Sequence, residues 1–170
     1  MDTLDLRTDS TGQRVDLRPE GISDVYGLTG NLVIARDTLI EIFVAGSGND
    51  EVIVSAAANH LQGRGGDDDL KGGSGDDVLE GGAGDDKLNG GPGDDTFVFA
   101  PEGGNNTITD FTDGDNSIDL SAFEDIETFN DLSLEQQGDN VVIDLSDYAG
   151  GTIVLSGFDL ANLDAADFIL

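Results

Sequence analysis

Residues 63–98 carry an Asp pair every nine residues, and each pair follows a run of small residues rich in glycine. In register the segment reads GRGGDDDLK, GGSGDDVLE, GGAGDDKLN and GGPGDDTFV. Carboxylates at such spacing do one of two jobs. They hold a cation, or they act as paired acids on a substrate. The neighbouring glycines favour the first, because a residue without a Cβ accepts positive φ and lets its carbonyl turn inward. A turn of inward carbonyls plus one Asp is a set of hard oxygen donors, which suits calcium far better than zinc or copper. There is no Cys, so thiolate metal sites and disulfides are both excluded.

These donors need elements that repeat at the same period. Each unit divides into a six-residue turn and a three-residue strand. Side chains alternate along a strand, so only the apolar residue at position eight faces inward. If two units make one coil, units two apart stack. One sheet then buries Val52, Leu70, Leu88 and Ile108, and the opposite sheet buries Leu61, Leu79 and Phe97. A fully buried aliphatic side chain contributes roughly 1.5–3 kcal/mol. One per unit falls short of the entropy of ordering nine residues, so bound metal is expected to supply the rest and to couple folding to binding.

Stacking also defines the expected sites. Asp50, Asp68 and Asp86 line one edge, and Asp77 and Asp95 the other. The turns around them bring Gly46 and Gly48, Gly63 and Gly65, Gly72 and Ser74, Gly81 and Ala83, and Gly90 and Pro92. Ions are expected between Asp50 and Asp68, Asp68 and Asp86, and Asp77 and Asp95. Weaker sites join Asn59 to Asp77 and Asp86 to Asn106, for a total of about three to five calcium ions.

The array frays at both ends, as a solenoid needs if its terminal units are to cap. Residues 45–53 are a good copy. Residues 54–62 keep only Asn59 and Leu61 in place, and residues 101–108 are a decayed copy offset by two. Three segments follow: 2–44 before the repeats, 45–107 the repeats, and 108–170 a capping region. Arg14–Leu17, Leu32–Ala35 and Ile40–Ala45 read as strands, parted by turns at 19–21 and 27–30. Asn140–Leu145 and Thr152–Leu155 read as a hairpin around Gly150-Gly151, and Leu160–Asp167 can hold one helical turn.

The chain of 170 residues has 36 acidic and 7 basic residues, a net charge of −29. Too few cations remain to grip phosphates, so nucleic acid is not an expected partner, nor is an anionic membrane. No apolar run is long enough for a membrane helix, and MDTLDLRTDS does not read as a Sec signal. Without counter-ions such a chain repels itself and disorder is favoured.

The consensus G-G-x-G-x-D-x-U-x is an established signature of calcium-binding RTX repeats. Around it the chain resembles the C-terminal domain of serralysin-type secreted metalloproteases. The likeness lies in Asp2-Thr3-Leu4-Asp5-Leu6, Gln13-Arg14-Val15-Asp16-Leu17, Ser23-Asp24-Val25, Thr29-Gly30-Asn31 and Thr38-Leu39-Ile40-Glu41-Ile42 before the repeats. After them it lies in Asp95-Thr96-Phe97-Val98-Phe99, Ile108-Thr109-Asp110-Phe111 and Ile118-Asp119-Leu120-Ser121-Ala122-Phe123. The resemblance implies an all-β, right-handed parallel β-roll capped by further β-structure. It also implies a type I secretion apparatus as partner, reading an uncleaved C-terminal signal for which Asp167-Phe168-Ile169-Leu170 is the candidate.

A zincin needs two His in H-E-x-x-H spacing, and His60 is the single His. It reads as a surface residue on a strand. The chain is therefore expected to be a non-catalytic, monomeric, extracellular calcium module beside an upstream catalytic domain. The alternative is a glycan-binding accessory module of a polysaccharide-modifying enzyme such as an alginate epimerase. That reading predicts a groove with exposed aromatics or basic residues, and only Tyr26 and Tyr148 are present, with no Trp. Calcium accounts for the Asp pairs without invoking a glycosidase.

Overall fold

The computed structural model describes residues 1–18, 21–25, 32–33, 39–54 and 56–170. Two sheets face each other across a narrow core. The first has seven strands in the order Thr3–Asp5, Ile42–Val44, His60–Gly65, Val78–Ala83, Thr96–Val98, Ser117–Asp119 and Phe168–Ile169, every pairing parallel. The second has eight. Arg14–Asp16, Glu51–Ile53, Asp69–Lys71, Lys87–Asn89, Asn106–Ile108 and Thr152–Leu155 run parallel. Asn140–Asp144 and Ser133–Gln137 then extend it antiparallel. The chain passes alternately from one sheet to the other, which is a parallel β-roll.

The position-eight residues stand in the expected rows. Val52 pairs with Leu70, Leu70 with Leu88, and Leu88 with Ile108. Opposite them, Leu61 pairs with Leu79 and Leu79 with Phe97. All seven side chains are fully buried. The rows run past the repeats: Val15 pairs with Val52, Phe43 with Leu61, and Ile118 with Phe97. The decayed copy keeps its offset, because Ile108 sits opposite Leu88 at twenty residues rather than eighteen.

Some elements differ from expectation. Strands His60–Gly65 and Val78–Ala83 are twice the expected three residues, because their pairing continues into the turn through Arg64 with Gly82 and Gly65 with Ala83. The strand expected at Arg14–Leu17 ends at Asp16, and Ile42–Val44 is shorter at both ends than Ile40–Ala45. Leu32–Val33 is a strand against Ile22–Ser23. Residues 34–35, the turn at 27–30 and most of that at 19–21 lie outside the described residues. The hairpin forms, but its first strand ends at Asp144 and a 3-10 turn at Ser146–Tyr148 precedes Gly150-Gly151. Leu160–Asp167 holds two short 3-10 turns instead of one helical turn, capped by Asp159 and Asp164. Ser133–Gln137 was not foreseen, because Ser133-Leu134-Glu135-Gln136-Gln137 is polar and mostly exposed and lacks an apolar alternation.

The core thickens towards the C-terminal end. Phe111 stacks edge-on against Phe158 at 5.2 Å and lies 6.4 Å from Phe97. Val141, Ile143, Leu145, Ile153 and Leu155 bury beside them. The cap therefore has a conventional apolar core, whereas each coil of the roll has one apolar side chain per strand.

Candidate metal centre

Position six of each unit is held by the strand that follows it. The strand fixes position eight inward, and two residues earlier the Asp must also point into the roll. On one edge this yields a continuous row. The N–H of Gln13 donates to Asp50 Oδ1 (2.7 Å), that of Asp50 to Asp68 (2.8 Å), that of Asp68 to Asp86 (2.9 Å), and that of Asp86 to Asn106 Oδ1 (3.0 Å). On the other edge the N–H of Asn59 donates to Asp77 (2.7 Å), that of Asp77 to Asp95 (3.0 Å), and that of Asp95 to Asn116 Oδ1 (3.0 Å).

Each carboxylate spends one oxygen on a rung, and the other is buried without a partner. Oδ2 of Asp50, Asp68, Asp77, Asp86 and Asp95 is in this state, as is Oδ1 of Asn59. A buried anionic oxygen without a donor is costly, and five in a regular array are a design feature. They also meet carbonyls. Asp68 Oδ2 and the Gly81 carbonyl both crowd the point where a Cβ on Gly63 would lie, and Asp77 Oδ2 and the Gly90 carbonyl do the same at Gly72. Only glycine fits those positions, and the oxygens that converge there are of the hard type that suits a cation such as calcium.

Burial raises the Asp carboxyls above their ordinary range. Asp68 is pushed up to about 8, by desolvation first and by the charges of Asp86 and Asp50 next. Asp77 rises to about 7, and Asp50 and Asp86 to about 6, each chiefly by desolvation. Asp95 is raised by burial, with Asp110 adding to it. Among the described residues no three His, Asp or Glu side chains converge. The carboxylates face carbonyls rather than each other, which is the donor mix of a calcium site and not of a zinc site.

The turn residues expected beside the carboxylates divide into two sets. Gly46, Gly63, Gly72, Gly81 and Gly90 are buried. Gly48, Gly65, Ser74, Ala83 and Pro92 lie at the rim, half-buried or exposed, and the carbonyls of Ala83 and Pro92 accept from the N–H groups of Gly66 and Gly75. The Asp pair also divides. Position five lies outside, where Asp67 accepts from the Asp85 N–H and Asp76 from the Asp94 N–H, each across one coil. The outer Asp thus ties coils together, so calcium ligation does not account for both members of the pair.

Two rungs were missed: Gln13 and Asn116. Both stand two residues before an inward apolar residue, Val15 and Ile118, which is the spacing of Asp95 to Phe97. That signal was present in the sequence without the glycines. His60 is half-buried on its strand, opposite Val78.

Residues 1–168 match the protein family described as peptidase M10 serralysin C terminal. Metallopeptidase AprA of Pseudomonas marginalis is 42% identical over 177 residues, covering 99% of this chain and 34% of the relative. Metalloprotease AprA of Pseudomonas entomophila is 50% identical over 126 residues, covering 71% of this chain and 24% of the relative. A serralysin of Photorhabdus laumondii is 46% identical over 61 residues, 36% of this chain and 13% of the relative. The chain thus spans only a minor part of the length of these relatives. Among solved structures, the AlgE6R3 subunit of the Azotobacter vinelandii mannuronan C5-epimerase superposes with a TM-score of 0.61 at 29% identity, over 72% of this chain and 78% of that one. Extracellular lipase LipA of Serratia marcescens gives 0.64 at 21% identity, over 88% of this chain and 24% of that one, a likeness of fold alone. With the family match running over nearly every residue, the chain belongs to the serralysin C-terminal family of M10 peptidases.

Proposed function

We propose that this chain is a non-catalytic calcium module that folds outside the cell and serves the export and folding of a larger secreted metalloprotease. The observation that carries the reading is the set of five buried Asp side chains, each with one oxygen spent on the next coil and one left for a cation. Calcium bound between Asp50 and Asp68, Asp68 and Asp86, and Asp77 and Asp95 supplies positive charge where those oxygens meet carbonyls. Weaker sites lie at the Asn59 to Asp77 and Asp86 to Asn106 gaps, where one donor is a neutral amide. Where calcium is scarce, repulsion within a chain of net charge −29 keeps it expanded and fit for threading. Outside, at the roughly millimolar calcium for which extracellular modules are tuned, the rows fill and the roll closes.

Partners under this reading are calcium, the type I secretion apparatus and an upstream catalytic domain, with the module itself monomeric. The accessory glycan-binding alternative has little to recommend it. The Tyr148 hydroxyl is engaged with the Asp131 carbonyl, and Tyr26 lies outside the described residues.

Circular dichroism tests the core of the proposal. The chain in chelator should show little β-signal and gain it cooperatively with calcium. Magnesium should fail to substitute, because it holds its waters and demands a compact octahedron. A chelated chain that keeps its full β-signal at neutral pH overturns the coupling of metal to folding.

A further inference from the structure

We propose that a further calcium site lies outside the repeats, between the turn Asp9–Gln13 and the turn Gly46–Asp50. The proposal rests on the reading that the array binds calcium and adds one ion to its first row.

The turn Asp9–Gln13 has no repeat sequence, yet it stacks like one. The Gln13 N–H reaches Asp50 Oδ1 just as the Asp50 N–H reaches Asp68 Oδ1. The backbones are as close as those of neighbouring coils. A Cβ on Gly48 would overlap the backbone of Thr11 and Gly12, as a Cβ on Gly66 would overlap that of Gly48. Gln13 therefore occupies the position that Asp holds elsewhere in the row.

Its side chain is 3% exposed, and neither terminal atom has a hydrogen-bond partner. An amide buried with both ends unpaired is as costly as the orphaned carboxylate oxygens beside it. It faces the turn Gly46–Asp50 beside the Asp9 carbonyl. Gln13 Nε2 lies 3.2 Å from the point where a Cβ on Gly46 would sit, and the Asp9 carbonyl crowds that same point. A half-turn of the planar amide exchanges its oxygen and nitrogen without changing its shape, so Oε1 can take that place. Two acids flank it. Asp9 is 6% exposed, with Oδ1 accepting from Thr11 N–H and Oγ1, and Asp50 Oδ2 is buried and unpaired. Burial raises the Asp50 carboxyl, and the charge of Asp9 adds to it. The amide oxygen, the Asp9 carbonyl and the carboxylates of Asp9 and Asp50, on two stacked turns, form a hard donor set of calcium type.

The test compares the whole chain with two variants by equilibrium calcium counting. Gln13→Leu keeps the volume and removes the donor. It should bind one ion fewer while reaching the full β-signal at saturating calcium. An unchanged count overturns the site. Gln13→Glu keeps a donor oxygen and adds charge. It should retain the count and tighten the weakest ion by about tenfold, since affinity follows ligand charge. Gln13→Glu also decides the matter if Gln13→Leu fails to fold, because a purely structural Gln13 predicts that the buried charge weakens the fold at every calcium concentration. A wild-type chain that binds no calcium overturns the array reading and this one together. An intact array count with no effect of Gln13 overturns this one alone.

Discussion

Asp68 is the most demanding residue of the roll. It has an Asp on either side in its row, and its carboxyl is pushed up to about 8. Asp95 has Asp77 before it and the neutral Asn116 after it. Asp68→Ala should therefore cost about two ions and Asp95→Ala about one, each Asp serving the gaps on both of its sides in proportion to ligand charge. Calcium titration of both variants checks this, and equal losses would contradict the pairing of turns. The raised carboxyls also set a pH dependence. A carboxyl whose pKa is higher in the fold than in the open chain favours the fold when protonated. For the metal-free chain that contribution is complete below the ordinary 3.8 and is lost as pH rises through about 6 to about 8. Calcium binding slopes the other way, because the proton must leave first. The chelated chain should gain β-signal as pH falls towards 3.8, and calcium affinity should weaken from pH 8 to pH 6. An affinity that stays flat across that window would show that these carboxylates do not bind the ion.

At the scale of the element, coil spacing is set by turns that leave no room for a side chain. Gly84 has φ +138° and its Cβ would overlap the Gly66 carbonyl. Gly138, in the turn between Ser133–Gln137 and Asn140–Asp144, has φ +64° and open space around it. Gly138→Ala should cost about 1–2 kcal/mol, the cost of a left-handed conformation alone. Gly84→Ala adds a backbone clash, so coils must separate and ligands on both turns move. Its melting temperature should fall further, and its calcium affinity should fall with it, whereas Gly138→Ala should leave affinity unchanged. Thermal melts and titrations at matched calcium read both. The first row ends for an equally local reason. Ile153 pairs with Asn106 and is buried where the next oxygen donor would stand.

At the scale of the whole molecule, the two ends of the roll differ in what holds them. The C-terminal end has an aromatic core, and its last strand, Phe168–Ile169, pairs with Ser117–Asp119. Asp167 and Phe168 are buried, while Ile169 and Leu170 are 44% and 38% exposed. Removing all four residues would strip a strand along with any export signal. The double variant Ile169→Ser, Leu170→Ser separates the roles. It should leave calcium stoichiometry and melting temperature within about 0.5 kcal/mol of wild type, as surface changes usually do. It should lower export of a fused passenger through a type I exporter. Unimpaired export would leave the tail with only its packing role.

Much of this architecture was legible because a nine-residue period leaves little freedom. Gly at the turn, Asp at position six and one apolar residue at position eight dictate the parallel roll, the register of Val52, Leu70 and Leu88, and the two edges of Asp. Three things were decided only in the folded chain. Gln13 and Asn116 joined the rows without any glycine signal, because a backbone held in register by Val15 and Ile118 carries whatever residue lies two positions earlier into the ligand place. Asp67, Asp76 and Asp85 turned outward to tie coils together, because adjacent residues at a turn face opposite ways. The polar strand Ser133–Gln137 formed because Asn140–Asp144 offered it an open edge. Local period specifies what repeats. Where the repetition fades, pairing with the coil already formed decides the structure.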